Sequence, residues 1–393
     1  HARIIHMTNT DNPDLLTRRV ANILPTKAGL EKLISGKKIR LYQGFDPTFK
    51  DLHLGHTIGF RKLMDFARAG HEVIFLFGTG TVLAGDPSKR EKGRGNKIIT
   101  QAQIDENIRG WKQQVSKIVD FDLVTIRQNG DWLTKLTLRD IIKIGSNISA
   151  TQLFKRESFT RRIKAGDPVW YHETMYPLLQ GYDSVVMDVD LEIGGTDQEF
   201  NMLIGRELQK KMNNRDKFVL TTPMINGTDG KKMSKSAGNC IFLTESPEDI
   251  YRKIMAMHDN MITTYYELLT DLKMEEIQAL DSDKPIENKK RLAFEITKEL
   301  HSESAASSAA KHYDSIVSAK AVDPSLAPIT ILNTLFETLK NADLALSNSE
   351  IKRVIQQGGV EVDGNKLTDL DAPVQGSEIK FGKSIRRELR TKN

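Results

Sequence analysis

Two histidines three residues apart, His53 and His56, close the segment Gly44-Phe45-Asp46-Pro47-Thr48-Phe49-Lys50-Asp51-Leu52-His53-Leu54-Gly55-His56. Ahead of it, Ile39-Arg40-Leu41-Tyr42 alternates apolar and polar residues as a strand does, and Gly44, Asp46 and Pro47 break the pattern. The run Leu54, Ile58, Phe60, Leu63, Phe66, continuing to Gly70, then has helical character. The histidines therefore fall at or near a helix N-terminus and share one face. Free N–H groups and the helix macrodipole favour an anion there. Gly55 lets a flat base approach the backbone with no Cβ in the way. This suits a nucleoside triphosphate whose α-phosphoryl group is under attack. An isolated His-x-x-His is more often a pair of surface histidines, so the reading needs a second motif.

That motif is Lys231-Lys232-Met233-Ser234-Lys235-Ser236-Ala237-Gly238-Asn239, which follows the strand-like Phe218–Thr222. Lysine ammonium groups on a flexible loop can follow charge developing on departing pyrophosphate. Small Ser and Gly residues let such a loop close and reopen. A third constellation is Tyr176, Gln180 and Asp183, at i, i+4 and i+7, which a helix places on one face among Leu178, Leu179 and Val185. A polar stripe there suits a pocket for an ammonium, a carboxylate and a phenol, although a satisfied structural network reads the same way. In Gly194-Gly195-Thr196-Asp197-Gln198, two glycines at a strand end and an Asp at a helix N-cap permit close approach to a ribose.

The elements that position these residues alternate. Strand-like runs at Ile39–Tyr42, Val73–Phe77, Leu123–Arg127, Leu191–Ile193 and Phe218–Thr221 are separated by helical patterns from Leu54, Lys97, Leu138, Pro168 and Asp197. The expectation is an α/β, Rossmann-like, doubly wound parallel sheet with ligands at the C-terminal strand ends. From Pro247 to about residue 340 helical patterns follow one another; Ser302–Ala310 reads as a surface helix. The C-terminal part reads as a helix over 350–357 closed by glycine, a hairpin around Asp363-Gly364-Asn365, and two strands at 379–383 and 385–390. The expected domains are 8–230, 231–340 and 347–393.

The His-Leu-Gly-His and Lys-Met-Ser-Lys-Ser motifs, in this order, resemble the double signature of class I aminoacyl-tRNA synthetases. Within that superfamily the chain is similar to the bacterial-type tyrosyl-tRNA synthetases, from about Asp14 onward. The resemblance implies catalytic roles for His53, His56, Lys232, Lys235 and Thr48. It implies tyrosine contacts from Tyr42, Asp86, Tyr176, Gln180, Asp183 and Gln198: Tyr176, Gln180 and Asp86 at the ammonium, Tyr42 and Asp183 at the phenol, Gln198 near the carboxylate. ATP contacts are implied for Gly44, Asp46, Gly55, His56, Gly195, Asp197, Lys232, Met233, Ser234, Lys235 and Ser236. The C-terminal succession is similar to the S4 RNA-binding module, with Lys352, Arg353, Lys383, Arg386 and Arg387 as tRNA contacts and Lys380 on the same surface. The basic stretch Lys89–Lys97 reads equally as a solvated loop or as a contact to pyrophosphate or the tRNA acceptor end, with Arg94, whose offset from Asp86 matches the family's basic position, the stronger single candidate. The run Lys155, Arg156, Arg161, Arg162, Lys164, with Phe154, Phe159 and Ile163, matches the region where these synthetases dimerise, so a homodimer through Phe154–Trp170 is expected. The chain departs from the family's commoner pattern at Gln43, at Lys89-Arg90 and at Glu199-Phe200.

Composition bounds the rest. At 393 residues two or three domains are expected, and 39% hydrophobic with 28% charged residues describes a globular protein. A net charge of +5 is mild, so a nucleic-acid surface has to come from clustering. The single cysteine, Cys240, excludes an internal disulfide and a Cys-based zinc site. No apolar stretch approaches the ~20 residues that span a bilayer, and no secretory signal is read; the expected location is cytoplasmic. His1–His6 ahead of Met7 read as an expression-tag remnant. Expected partners are tRNA, tyrosine and ATP, with Mg²⁺ carried on the ATP and no protein-held metal. A tryptophanyl-tRNA synthetase is the close alternative, opposed by Tyr42/Asp183 and the S4-like tail. A non-catalytic RNA-binding protein on a synthetase scaffold is the distant one.

Overall fold

The computed structural model describes residues 14–86, 99–231, 233, 238–319, 326–342, 344, 346, 348–382 and 385–391. The chain divides into two compact units, His1–Met224 and Ile225–Asn393, so the first boundary lies slightly ahead of the expected 230/231.

Unit 1 is built on a six-stranded sheet. Its strands are β1 (Asn22–Leu24), β2 (Arg40–Phe45), β3 (Glu72–Phe77), β4 (Val124–Gln128), β5 (Leu191–Gly195) and β6 (Phe218–Thr222), in the order β1-β6-β5-β2-β3-β4. β2 to β6 are parallel, and β1 is an antiparallel edge on β6. The near-continuous apolar run of β3, buried from Val73 to Phe77, is what a strand covered on both faces requires. The three-residue β1 carries too little alternation to read from sequence. The other five strands match the expectation within three residues at either end.

From β2 the chain steps one way to β3 and β4, then returns to the other side of β2 with β5 and β6. Ligands bind in the crevice at such a switch point. The two central strands pair only at Leu41↔Leu191 and Tyr42↔Glu192, whereas β2 and β3 pair along six residues. Beyond Tyr42, β2 and β5 thus diverge and open the crevice at their C-terminal ends.

Four long helices flank the sheet: Leu54–Arg68, Gln101–Val115, Tyr171–Met187 and Glu199–Asn213. The last two begin after the expected Pro168 and Asp197. Trp170 N–H is capped by Glu173 Oε2 at 2.8 Å, and Thr196–Gln198 forms a 3₁₀ turn first. Phe45, Phe60 and Phe75 stack with centroids 4.7–5.5 Å apart, tying β2 and β3 to the Leu54–Arg68 helix.

In unit 2 the helices Pro247–Ala256, Pro285–Leu300 and Glu303–Ala319 pack together. The Ser/Ala-rich run is a helix as expected, with Ala306 and Ala309 turned into the interior. A five-stranded sheet follows, β7 (Ile329–Ile331), β8 (Val360–Val362), β9 (Asn365–Leu367), β10 (Glu378–Phe381) and β11 (Ile385–Thr391), ordered β7-β11-β10-β8-β9. Its first strand lies ahead of residue 347, where the module is expected to start. Ile329–Ile331 pairs in parallel with β11, and Leu335 and Leu339 share the core of Ile351, Ile355, Ile379, Phe381 and Leu389. The Asn348–Gln356 helix and the β8–β9 hairpin fit the S4-like reading. Asp363 (φ 45°) and Gly364 (φ 83°) supply the two left-handed residues of a primed turn.

Candidate functional site

The crevice is approached first from the turn after β2. His53 is the N-cap of the Leu54–Arg68 helix and His56 its third residue. The imidazole centroids are 3.9 Å apart, and His53 N–H donates to His56 Nδ1 at 3.2 Å. Gly55 sits in the first helical turn. Thr48 is exposed in the turn, its N–H on Asp46 O at 2.8 Å, and Gly44 is exposed near the end of β2. The turn has few backbone bonds of its own, and a neighbouring helix supplies what it lacks. Asn107, Trp111 and Gln114, at i, i+4 and i+7, donate to the carbonyls of Pro47, Phe49 and Lys50 at 2.8, 2.8 and 3.0 Å, and Gln114 Oε1 receives Leu52 N–H at 2.8 Å. This polar stripe on the Gln101–Val115 helix is readable in the sequence, but nothing there reveals which loop it meets.

Behind the turn lies the polar face of the Tyr171–Met187 helix. Tyr176 Oη donates to Asp46 Oδ2 at 2.8 Å, and Thr81 Oγ1 donates to Asp46 Oδ1 at 2.8 Å. The Asp46 carboxylate fits because Gly78 has no Cβ; one would stand 1.9 Å from Oδ1. Asp183 is fully buried and accepts Trp132 Nε1–H at 2.9 Å and Asn129 Nδ2–H at 3.0 Å. Burial pushes its carboxyl well above the usual range, against those two hydrogen bonds, and burial likewise raises the Tyr42 and Tyr176 phenols. Tyr42 and Asp183 reach the same buried region, since Trp132 packs with Tyr42 and donates to Asp183, but the Tyr42 hydroxyl is 2.9 Å from Ser184 Oγ. The expected Tyr42/Asp183 pair is thus a neighbourhood in which each group already holds another partner. Tyr42 packs with Ile74, Leu76, Met187, Val189 and Trp132.

Gln180 and Gln198 are joined through one residue. Asn201 Nδ2 donates to Gln180 Oε1 at 3.0 Å and to Gln198 Oε1 at 2.9 Å. Gln198 Nε2 donates to Asp86 Oδ2 at 3.2 Å and to Asp197 Oδ2 at 3.0 Å. Asp86 also pairs with Arg156, 5% exposed, whose guanidinium lies 5.6 Å from the Phe159 ring centroid. Asp197 is exposed inside the 3₁₀ turn, not at the N-cap, and Gly195 directly precedes it. The sequence reading missed Asn201, Asn129, Trp132, Ser184, Glu192 and Lys217, and it placed Arg156 in the dimerisation run and not on Asp86. Glu192 and Lys217 carried a signal, a charged residue in or beside an otherwise apolar central strand.

The cationic run after Phe154 divides on the structure. Arg156 and Arg162 are used internally, the latter on Glu173 at 2.9 Å, and Phe159 is fully buried. Phe154, Ile163, Trp170 and Tyr171 are exposed, as are Leu138 and Ile142. The basic stretch 89–97 lies outside the described residues.

In unit 2, Met233 is half-buried, while Lys232, Ser234, Lys235 and Ser236 lie outside the described residues, as does Lys383. Lys352 and Arg353 are exposed on the Asn348–Gln356 helix, Lys352 Nζ lying 4.9 Å from the Phe336 ring centroid. Glu361, Lys380 and Arg386 are register neighbours on one face of the sheet, and Arg386 pairs with Glu378. Arg387 corrects the sequence reading. It faces the core opposite Ile379, 8% exposed, and its guanidinium donates to the carbonyls of Ala327 and Ala342. Strand alternation carries this signal, because Leu389 shares its face.

Among the described residues no cluster of three His, Cys, Asp or Glu side chains could hold a metal, and no helix is long and apolar enough to cross a membrane. The family model of the class I tRNA synthetases (W and Y) matches residues 35–318. A tyrosine–tRNA ligase of Desulfotalea psychrophila is 41% identical over 363 residues, 89% of this chain and 89% of that protein. One of Aquifex aeolicus is 37% identical over 388 residues, 96% of this chain and 98% of that protein. Among solved structures, the tyrosyl-tRNA synthetase of Archaeoglobus fulgidus complexed with L-tyrosine has TM-score 0.61 at 24% identity, covering 77% of this chain and 99% of its own. The C-terminally truncated mitochondrial enzyme of Aspergillus nidulans has TM-score 0.65 at 21% identity, covering 76% and 91%. At these identities the solved structures speak for the fold alone.

Proposed function

The chain belongs to the class I tRNA synthetases of the W and Y group, and from that membership we infer that it joins tyrosine to tRNA using ATP. The choice of tyrosine rests on the relatives, and one observation supports the joining of the two reactants: Tyr176, on the helix expected to hold tyrosine, donates to Asp46, in the turn expected to hold ATP. The two expected sites thus adjoin, as suits attack of a carboxylate on an α-phosphorus.

In the proposed mechanism the ammonium of tyrosine meets Asp86, Tyr176 and Gln180, and its phenol meets Asp183 and Tyr42. Its carboxylate, near Gln198, attacks the α-phosphorus in line, giving tyrosyl-adenylate and pyrophosphate. His53, His56 and Thr48 act on the charge that develops on the phosphates, together with Lys232 and Lys235. Gly44, Gly55, Gly195 and Asp197 line the nucleoside, and Met233, Ser234 and Ser236 accompany the two lysines. A terminal ribose hydroxyl of tRNA then attacks the activated carbonyl. No protein nucleophile is needed; the rate comes from positioning and charge stabilisation. Mg²⁺ enters with ATP as part of the substrate. Lys352, Arg353, Lys383 and Arg386 contact tRNA phosphates. A second copy covers the exposed Ile163, Trp170 and Tyr171, and the enzyme works in the cytoplasm.

ATP–pyrophosphate exchange tests this reading with tyrosine, tryptophan and phenylalanine in parallel. Tyrosine alone should support rapid exchange. Faster exchange with tryptophan would reassign the pocket, and none with any of the three would remove the activity.

A further inference from the structure

A buried ion pair lies beneath the amino-acid pocket, and the mechanism above leaves it without a task. Lys217, just before β6, and Glu192, on β5, are each 1% exposed and paired through Nζ and Oε2. The ammonium reaches this depth because Gly205 has no Cβ; one would stand 2.8 Å from Nζ. Burial draws the Lys217 ammonium downward, opposed by Glu192 and Asp183. A buried pair of this kind is weak evidence for stability, since apolar residues of like volume serve a core as well or better.

Its contacts lead into the pocket on both sides. Glu192 Oε1 accepts Gln180 Nε2–H at 3.2 Å. That bond, with Asn201 on the other side, sets the amide so that Gln180 Oε1 keeps a lone pair for an ammonium. Lys217 Nζ also donates to Ser184 Oγ, and Ser184 Oγ lies 2.9 Å from Tyr42 Oη but 3.3 Å from Glu192 Oε2, which already receives the ammonium. Either hydroxyl of the Ser184–Tyr42 contact can donate, and Glu192 is itself a hydrogen-bond partner of the Tyr42 phenol; with Ser184 as the donor to Tyr42 Oη, the Tyr42 proton turns to a bound ligand. Asp183, its oxygens each holding one N–H, completes the other side as acceptor.

We propose that Lys217 and Glu192 are a positioning pair for tyrosine, acting through Gln180 on its ammonium and through Ser184 and Tyr42 on its phenol. The inference rests on the tyrosine-activating reading and adds residues to it. A phenol oxygen then accepts from Tyr42 and donates to Asp183. Phenylalanine leaves both unmatched, which is how a polar pocket rejects an analogue lacking the hydroxyl.

The test uses the full-length protein in ATP–pyrophosphate exchange, with thermal unfolding of each variant. Ser184→Ala cuts the branch to Tyr42. It should raise KM for tyrosine about tenfold, on the scale of one buried hydrogen bond. The KM values for phenylalanine and ATP and the kcat should change less than about twofold, so the tyrosine/phenylalanine ratio falls. Glu192→Gln combined with Lys217→Met removes both charges together, so neither is stranded. It should raise KM for tyrosine by about 10- to 100-fold, on the scale of losing charge-assisted bonds, while unfolding stays cooperative. If Ser184→Ala and the folded double variant keep the wild-type tyrosine KM and ratio, the pair is structural and the proposal is overturned. A rise in KM for ATP in step with tyrosine overturns it as well. Should the double variant not fold, Ser184→Ala decides alone. Absence of tyrosine-dependent exchange in the wild type would instead remove the activity reading.

Discussion

Replacing Asp183 by Asn isolates the acceptor on which recognition of a phenol depends. Both carboxylate oxygens are engaged, one by Trp132 Nε1–H at 2.9 Å and the other by Asn129 Nδ2–H at 3.0 Å. A carboxamide has one oxygen, so its NH₂ must face one of these donors. Asn129 cannot turn away freely, because its Oδ1 holds Gly80 N–H at 2.7 Å. Losing one charge-assisted hydrogen bond at a site 2% exposed is worth about 1.5–3 kcal/mol. At about 1.4 kcal/mol per factor of ten, KM for tyrosine should rise roughly 10- to 150-fold. Phenylalanine, which offers no phenolic proton, should be activated nearly as before, so the tyrosine/phenylalanine ratio falls by the same factor. Burial raises the Asp183 carboxyl above its ordinary 3.8. Wild-type tyrosine affinity should therefore weaken as pH falls through that raised value, because protonation removes the acceptor. The Asn variant should lack this dependence. Exchange kinetics with both amino acids across a pH series supply the measurement. An Asn variant that keeps the wild-type ratio and pH profile while its unfolding temperature drops would refute the reasoning and leave Asp183 a purely structural group.

His56→Asn should slow adenylate formation by about 10²–10³-fold, the scale for losing one charge-stabilising donor, with tyrosine affinity nearly unchanged in single-turnover and binding assays; lost tyrosine binding at a normal rate would contradict that role. Arg387→Met should destabilise unit 2 by about 1–3 kcal/mol in denaturant unfolding, because the buried carbonyl of Ala342 loses its donor and the part-buried one of Ala327 is left to water. Lys352→Ala with Arg353→Ala should instead leave stability intact, raise KM for tRNA and flatten its salt dependence, the opposite pattern reversing the assignments. Lys62, bonded to Leu15 O at 2.8 Å, is drawn from 10.5 to about 8 by burial. A lowered folded value means the charging cost is full below about pH 8 and fades toward 10.5. Wild type should gain about 3 kcal/mol on Lys62→Met across that window, and a constant difference in unfolding free energy would contradict this. Sedimentation should show a dimer that Trp170→Asp converts to monomer, while a monomeric wild type at micromolar concentration would remove the proposed interface.

Much of this protein is written locally in its chain. The His53–His56 quartet had to cap a helix, because a strand, two breakers and a helical apolar pattern succeed one another within one short segment. Tyr176, Gln180 and Asp183 had to share a helix face, because their spacing and the helical period leave no other arrangement. The five parallel strands were legible as short apolar or alternating runs, near-continuously apolar where both faces are buried, as in β3, and alternating with polar residues in β2 and at the edge strand β4. The rest depended on contacts between residues far apart in sequence. No local pattern says that Tyr176 reaches Asp46, that Asn201 spans two glutamines, or that Asn107, Trp111 and Gln114 hold the turn at residues 47–52. Arg387 read as one more cation until the β10–β11 register turned it to the core, and Ile329–Ile331 lay in a stretch where no strand was expected until β11 gave it a partner. Period and capping are set by neighbours along the chain, whereas a polar group's partner is set by which distant backbone arrives beside it, and only the folded sheet and its switch point decide that.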